Sequence, residues 1–157
     1  MISLYLRNLF FTILQPGVVA GLVPYLLLRV DYKEKILLPF HLLQYSGLFF
    51  FALGFLVMIN CILNFAIHGR GTLSPADPTK KLVIAGLYKY SRNPMYVGVV
   101  SMLVGEAVFF QSGRLGVYSI VIFLIFHLFI LFFEEPRLKK DFGAEYEHYC
   151  KKVRRWV

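Results

Sequence analysis

The chain has 157 residues, of which 58% are hydrophobic and only 17% are charged, and its mean hydropathy is +0.64. A soluble domain is roughly 45–50% apolar and about 25% charged, and a fold this small could not bury so much apolar surface. The composition therefore excludes a disordered chain, a disulfide scaffold and a typical cytosolic enzyme. It predicts an all-α, polytopic membrane protein in which residues 1–157 form one integral membrane domain.

The net charge of +8 is the second global feature. In a soluble protein it would suggest nucleic acid, but no nucleic-acid recognition motif accompanies it. Basic residues also collect on the cytoplasmic side of membrane proteins, where they meet anionic lipid. We therefore expect the lipid bilayer as a partner and no nucleic acid. Cys61 and Cys150 lie far apart and imply no disulfide framework.

Four apolar segments are candidates for transmembrane helices, each of which needs about 20 residues. Pro16 and Pro24 interrupt the first segment and predict a kink. The third is short and contains Glu106, and a turn at Gln111–Arg114 joins it to the fourth. The first apolar segment lacks a small-residue cleavage site, so we expect it to be retained. The predicted spans are about 9–28, 41–66, 95–110 and 115–133.

The lysines and arginines predict the orientation. With both termini in the cytoplasm, 13 of these residues lie inside and 4 outside. Segments 69–94 and 134–157 are then cytoplasmic. Apolar residues recur at spacings of three and four over Arg137–Val153, which predicts an amphipathic C-terminal helix at the membrane surface.

Polar residues with possible chemistry cluster on this cytoplasmic side. Arg92 and Asn93 directly precede Pro94, which suits the first turn of a helix. A helix start with a cation can hold an anion such as a carboxylate. The alternative is a capped helix with an arginine that reaches the interface. Glu134 and Glu135 end the fourth span, where they could bind a cation, a sulfonium or ribose hydroxyls. The alternative there is a plain helix end before Pro136.

Two further ionisable residues, Glu106 and His127, lie inside predicted spans, where such groups indicate function by default. Because Glu106 lies near the outer end, we favour a structural or outer-interface role for it. The histidines His41, His68 and His148 show no metal-ligand spacing, so no metal site is expected.

Taken in order, several short motifs resemble those of one enzyme superfamily. They are Gly86-Leu87-Tyr88, Ser91-Arg92-Asn93-Pro94-Met95-Tyr96-Val97-Gly98, Glu134-Glu135-Pro136-Arg137-Leu138 and Phe142-Gly143-Ala144-Glu145-Tyr146. Each motif is weak alone, but their order and membrane context resemble the isoprenylcysteine carboxyl methyltransferase and phospholipid methyltransferase superfamily. The resemblance covers residues 69–156, and the short chain resembles a prokaryotic member in the inner (plasma) membrane.

The resemblance implies S-adenosylmethionine as the cofactor and a lipid-like or apolar methyl acceptor, which could be a carboxylate, amine, thiol or phospholipid headgroup. It implies that Arg92 and Glu135 orient the reaction site. The cofactor contacts that it implies are Lys80, Lys81, Leu82, Val83, Tyr88, Asn93, Pro94, Met95, Tyr96 and Glu134.

Two positions depart from the family pattern. Asn93 stands where the motif has a histidine, so an acid–base role there is not expected. Ile130 stands where prenylcysteine methyltransferases carry an arginine for the substrate carboxylate, which argues against that substrate. These departures leave a non-catalytic scaffold or ligand-binding protein as the alternative function. A small transporter, based on Glu106 and His127, is a third and weaker interpretation.

Overall fold

The structure, a computed structural model, describes residues 16–29, 36, 39–68 and 82–156. Within these ranges it contains helices and no strand, and Ser91 and Arg154 form an isolated parallel β-bridge. The all-α prediction is confirmed for this part of the chain. The helices are α1 (Val18–Leu28), α2 (Leu42–His68), α3 (Pro94–Phe109), α4 (Gly113–Phe129) and α5 (Glu135–Lys152), with a 3₁₀ turn at Gly86–Lys89 and a π-helical turn at Ile130–Glu134 that runs from α4 into α5.

Two of the predicted spans coincide with helices that are long and apolar enough to cross a membrane. One covers Leu42–Asn64, and the other is the apolar part of the continuous helix Gly113–Lys152. We take Phe133 as the end of that apolar part, because the carboxylates of Glu134 and Glu135 follow it. Helices α1 and α3 are shorter, and residues 9–15 of the first predicted span lie outside the described residues. The four-span topology therefore stays a prediction.

The surfaces of these two helices are apolar and largely exposed. Only 22% of the most apolar stretch of α2, and 17% of that in the Gly113–Lys152 helix, is buried inside the protein. Phe49, Leu56, Phe132 and Phe133 are each more than 60% exposed. Such continuous apolar surface is unusual on a soluble protein and suits contact with lipid.

Glycines allow α2 and α3 to pack with their backbones in close contact. A Cβ atom on Gly98 would lie 2.9 Å from the carbonyl oxygen of Gly54, and one on Gly54 would meet the Gly98 carbonyl oxygen. The contact repeats seven residues later in α3 and seven residues earlier in α2, where a Cβ on Gly105 would lie 2.7 Å from the Gly47 carbonyl oxygen. Small residues at such crossings permit close packing of membrane helices.

The elements near α3 are fixed by local sequence. Asn93 has a non-helical backbone, and Pro94 opens α3 at the first turn, as its fixed φ favours. At the opposite end, Ser112 accepts a hydrogen bond from the Leu115 backbone N–H and caps α4. The predicted helical hairpin is therefore present.

The C-terminal helix bends at Gly143, whose φ of +50° lies in the left-handed region that favours glycine. The apolar residues predicted for one face of this segment form a small core. Tyr146, Tyr149 and Val153 are buried there, with Leu138 and Phe142 packed against them.

Candidate active site

The 3₁₀ turn before α3 buries an aromatic side chain against α2. Tyr88 is buried in a cluster with Val83 and Cys61, and Met95 packs against that cluster. The Tyr149 hydroxyl of α5 donates a 2.6 Å hydrogen bond to the Tyr88 carbonyl oxygen. Burial raises the pKa of Tyr88 well above its ordinary value, so its side chain is a neutral phenol.

The start of α3 and the start of α5 meet through an ion pair. The Arg92 guanidinium lies 3.0 Å from Glu135 Oε1 and 2.8 Å from the Cys150 sulfur. Both charged side chains are nearly buried, with 13% and 11% of the side-chain surface exposed. The two residues that the sequence predicts to orient the site are thus in direct contact.

A second arginine holds the same carboxylate. Arg155 Nε lies 2.9 Å from Glu135 Oε1, and its NH2 nitrogen lies 2.9 Å from Oε2. This fork geometry is the strong, directional form of an arginine–carboxylate pair. Sequence reasoning placed Arg155 only among the cytoplasmic charges. Glu135 lies 20 residues before Arg155 in the sequence, and no helical periodicity relates the two. The available signal was the pair of adjacent glutamates, whose negative charges need cations nearby.

The residues that follow α5 lie against the loop before α3. We name Val153–Trp156 the C-terminal strap. Within it the Arg154 carbonyl oxygen accepts a 2.9 Å hydrogen bond from the Arg92 backbone N–H. The Arg155 carbonyl oxygen accepts a 2.9 Å bond from the Asn93 side-chain amide. Asn93 is buried, so its amide acts here as a structural donor.

The second glutamate contacts α3 one turn further along. The Tyr96 hydroxyl donates a 2.8 Å hydrogen bond to Glu134 Oε2. The Tyr96 ring also packs against Phe126 of α4, with 4.8 Å between ring centroids. The pairs Tyr96–Glu134 and Arg92–Glu135 therefore lie next to each other where α3 meets the start of α5.

The two glutamates differ in electrostatic environment. Burial raises the pKa of Glu134, although the Tyr96 hydrogen bond and the Arg137 charge partly oppose that shift. Burial also disfavours the ionised form of Glu135, but its hydrogen bond to Arg155 and the charges of Arg92 and Arg155 outweigh burial and lower its pKa. Glu135 is therefore an anion held between two cations. The group of Arg92, Glu135 and Arg155 as a whole carries a net positive charge.

One buried donor at this position has no acceptor. The Arg92 Nε atom is buried and makes no hydrogen bond to any residue that the structure describes. An unsatisfied buried donor is costly unless a ligand supplies the acceptor. Together with the net positive charge of the Arg92–Glu135–Arg155 group, it fits an anionic ligand group such as a carboxylate. The nearby Glu134 carboxylate fits a cation or hydroxyl donors.

The remaining predicted contacts fall into three groups. Val83, Tyr88 and Met95 share one cluster against α2, and Pro94 is buried at the first turn of α3. Leu82 packs instead against the α5 core. Lys80 and Lys81 lie outside the described residues. The assignment of these residues to a cofactor site stays a prediction.

The two intramembrane ionisable residues have separate surroundings. Glu106 lines a mostly apolar cavity of about 300 Å³ between α1, α2 and α3. It is ten residues beyond Tyr96, or about 15 Å along the helix, so the cavity is separate from the candidate site. His127 stacks on Trp156 of the strap, with 6.0 Å between ring centroids. In the part of the chain that the structure describes, no three metal-binding side chains cluster.

The fold and site are those of a helical membrane protein with a polar cluster at one end of its apolar helices. The family model for phospholipid methyltransferase matches residues 43–145, about two thirds of the chain. The chain therefore belongs to the phospholipid methyltransferase family, which confirms the superfamily assigned from its motifs. No curated protein and no solved structure gives a significant match.

Proposed function

We propose that this protein transfers a methyl group from S-adenosylmethionine to a lipid-like or apolar acceptor at the membrane. Family membership supports a membrane methyltransferase. The observation that carries the proposal is the adjacent pair of contacts Arg92–Glu135 and Tyr96–Glu134. These contacts bring two distant motifs into one polar cluster beside a helix that is long and apolar enough to cross a membrane.

The polar groups of this cluster complement the parts of the cofactor. When bound, S-adenosylmethionine supplies a methyl group already activated on a sulfonium. Arg92, with its free Nε donor, would hold the cofactor carboxylate. Glu134 would accept hydrogen bonds from ribose hydroxyls or face the positive charge, and the rings of Tyr88 and Tyr96 would offer cation–π faces.

The protein itself would then act mainly by orientation and by exclusion of water. Glu135 is paired on both oxygens and is a poor general base, so we assign it, with Arg92, to orienting the site. Asn93 donates to the Arg155 carbonyl oxygen and cannot shuttle a proton at neutral pH. The acceptor would enter from the bilayer between helices.

The residue one turn before the paired glutamates argues against one acceptor. That residue is Ile130, which is fully buried, so the position that carries an arginine for the substrate carboxylate in prenylcysteine methyltransferases holds no cation in this chain. We therefore propose the isoprenylcysteine methyltransferase-like scaffold with a different acceptor, such as an amine, thiol or phospholipid headgroup.

We further propose the four-span topology with both termini in the cytoplasm of a prokaryotic cell, because the cofactor is cytosolic.

The test is calorimetric titration of S-adenosylmethionine into the detergent-purified protein with lipid added back. We expect saturable binding that Glu134→Gln weakens at least tenfold. Glu147→Gln, which changes an exposed glutamate of the same helix, is the matched control and should bind as the wild type does. A folded wild-type protein that binds no cofactor would instead favour the non-catalytic scaffold.

Turnover is the second measurement. Methyl-labelled cofactor and a total membrane lipid extract should yield labelled lipid with the wild type. The label should fall to background with Glu134→Gln. Mass analysis of the labelled species would then identify the acceptor headgroup, and cofactor binding without any transfer would argue for a ligand-binding role.

A further inference from the structure

The Arg155–Glu135 pair connects the C-terminal strap to the candidate site. Glu135 accepts from both nitrogens of the Arg155 fork, whereas Arg92 contacts it through a single nitrogen. Two-point contacts fix orientation as well as distance. Arg155 therefore determines how the Glu135 carboxylate faces Arg92.

The backbone of the strap also binds the loop that precedes α3. Its carbonyl oxygens at residues 154 and 155 accept from the Arg92 backbone N–H and the Asn93 amide, each at 2.9 Å. The Ser91 hydroxyl adds a longer 3.4 Å contact to the carbonyl oxygen of residue 155. The Arg92 backbone N–H and the Asn93 side-chain amide thus both have their acceptors in the strap.

The end of the strap lies on the apolar helix α4. The Trp156 ring packs against Phe123 with 5.1 Å between centroids and stacks on His127 at an interplanar angle of 24°. These contacts lie about 12–18 Å along the helix from Glu135. The strap is therefore attached through two neighbouring side chains, by the ion pair of Arg155 with Glu135 and by the aromatic packing of Trp156 on α4.

We infer that Arg155 is a positioning residue of the cofactor site, which acts through Glu135 and through the strap rather than by contact with the reacting atoms. This inference rests on the proposed function. If the Arg155–Glu135 pair is broken, Glu135 keeps a single cationic partner and the strap loses its ionic attachment. The Arg92 backbone N–H and the Asn93 side-chain amide then lose their acceptors together.

Trp156 provides an intrinsic probe of the strap, because it is the sole tryptophan in the chain. Its fluorescence anisotropy and its quenching by acrylamide report whether the strap is docked, with no cofactor present. We expect Arg155→Ala to lower the anisotropy and to raise the quenching constant at least twofold. The same variant should weaken binding of S-adenosylmethionine at least tenfold, and Arg155→Lys should recover only part of each effect.

A double-mutant comparison separates positioning from a general loss of stability. If Arg155 acts through Glu135, then Glu135→Gln combined with Arg155→Ala should weaken cofactor binding no more than the worse single variant. Lys152→Ala removes a nearby exposed charge and should leave both readouts unchanged. Effects that multiply in the double variant would overturn the inference.

Two other outcomes have distinct meanings. A shielded, immobile Trp156 in folded Arg155→Ala would show that the ion pair does not hold the strap, and the inference would fail while the proposed function stands. A wild type that binds no cofactor would overturn the proposed function and the cofactor role of Arg155. The fluorescence comparison would still decide whether Arg155 docks the strap.

Discussion

The Tyr96 hydroxyl and the Glu134 carboxylate form a 2.8 Å hydrogen bond between residues 38 positions apart. Tyr96 lies on the first turn of α3, and Glu134 ends the π-helical turn that precedes α5. The bond therefore fixes the relative position of two helices where the polar cluster lies. It also places a hydroxyl donor on the carboxylate that is proposed to hold the cofactor.

Tyr96→Phe removes this hydrogen bond and keeps the ring that packs on Phe126. We expect cofactor binding to weaken by about 1 kcal/mol, or about fivefold in Kd, because a single hydrogen bond no longer orients Glu134. Tyr96→Ala also removes the ring and should weaken binding further. Calorimetry measures both, and circular dichroism should show unchanged helix content. Wild-type affinity in folded Tyr96→Ala would remove Tyr96 from the site.

The ion pairs of Glu135 predict how stability depends on pH. Its pKa is lowered in the folded protein, so the unfolded chain binds a proton more readily. The stabilisation is then fully present above the unfolded pKa of about 4.3 and is lost as pH falls through the lower folded pKa. Glu135→Gln should lower the free energy of unfolding by about 1–3 kcal/mol at pH 7, because two arginines lose their partner.

The measurement is thermal unfolding in detergent between pH 7 and pH 3. The gap in Tm between the wild type and Glu135→Gln should shrink as the pH falls below 4.3. Glu145→Gln, which alters an exposed residue of the same helix, should follow the wild type at every pH. A gap that stays constant down to pH 3 would show that the charge of Glu135 contributes nothing.

The sequence predicted the helices better than the connections between them. Periodicity and apolar length located α2 and α4, because both are properties of neighbouring residues. The π-helical turn at Ile130–Glu134 and the bend at Gly143 were not predicted. Both depend on how the apolar helix and the polar helix after it pack on the rest of the protein.

The candidate site shows the same division. Motif order brought Arg92, Tyr96, Glu134 and Glu135 into one prediction, and the structure places them in two adjacent contact pairs. Arg155 was missed because its pairing follows from the bend at Gly143, after which Cys150 and Arg155 lie near the Arg92–Glu135 pair. No spacing rule connects a residue in an irregular tail to a carboxylate on the helix before it.

Tyr149 tests the contact between α5 and the turn before α3. Its hydroxyl is buried and donates to the Tyr88 carbonyl oxygen at 2.6 Å. Tyr149→Phe leaves that carbonyl without this donor and should lower the free energy of unfolding by about 1–2 kcal/mol. Tyr90→Phe is the matched control, since Tyr90 is 76% exposed. Equal unfolding temperatures for the two variants would contradict a structural role for the Tyr149 hydroxyl.

The glycine contacts between α2 and α3 predict a size limit at the helix crossing. A Cβ atom on Gly54 would overlap the Gly98 carbonyl oxygen and lie 2.8 Å from the Met102 backbone nitrogen. Backbone atoms cannot move aside as a side chain can, so the helices must separate. Gly54→Ala should therefore lower the free energy of unfolding by about 1–3 kcal/mol, despite the better helix propensity of alanine.

Gly116→Ala is the matched control, because a Cβ atom there meets nothing within 4 Å. This variant should gain up to about 1 kcal/mol from helix propensity alone. Thermal unfolding of the two variants in the same detergent should thus shift Tm in opposite directions. Since α3 begins with the site residues, Gly54→Ala should also weaken cofactor binding. A stabilising effect of Gly54→Ala would mean that α2 and α3 are further apart than their glycines indicate.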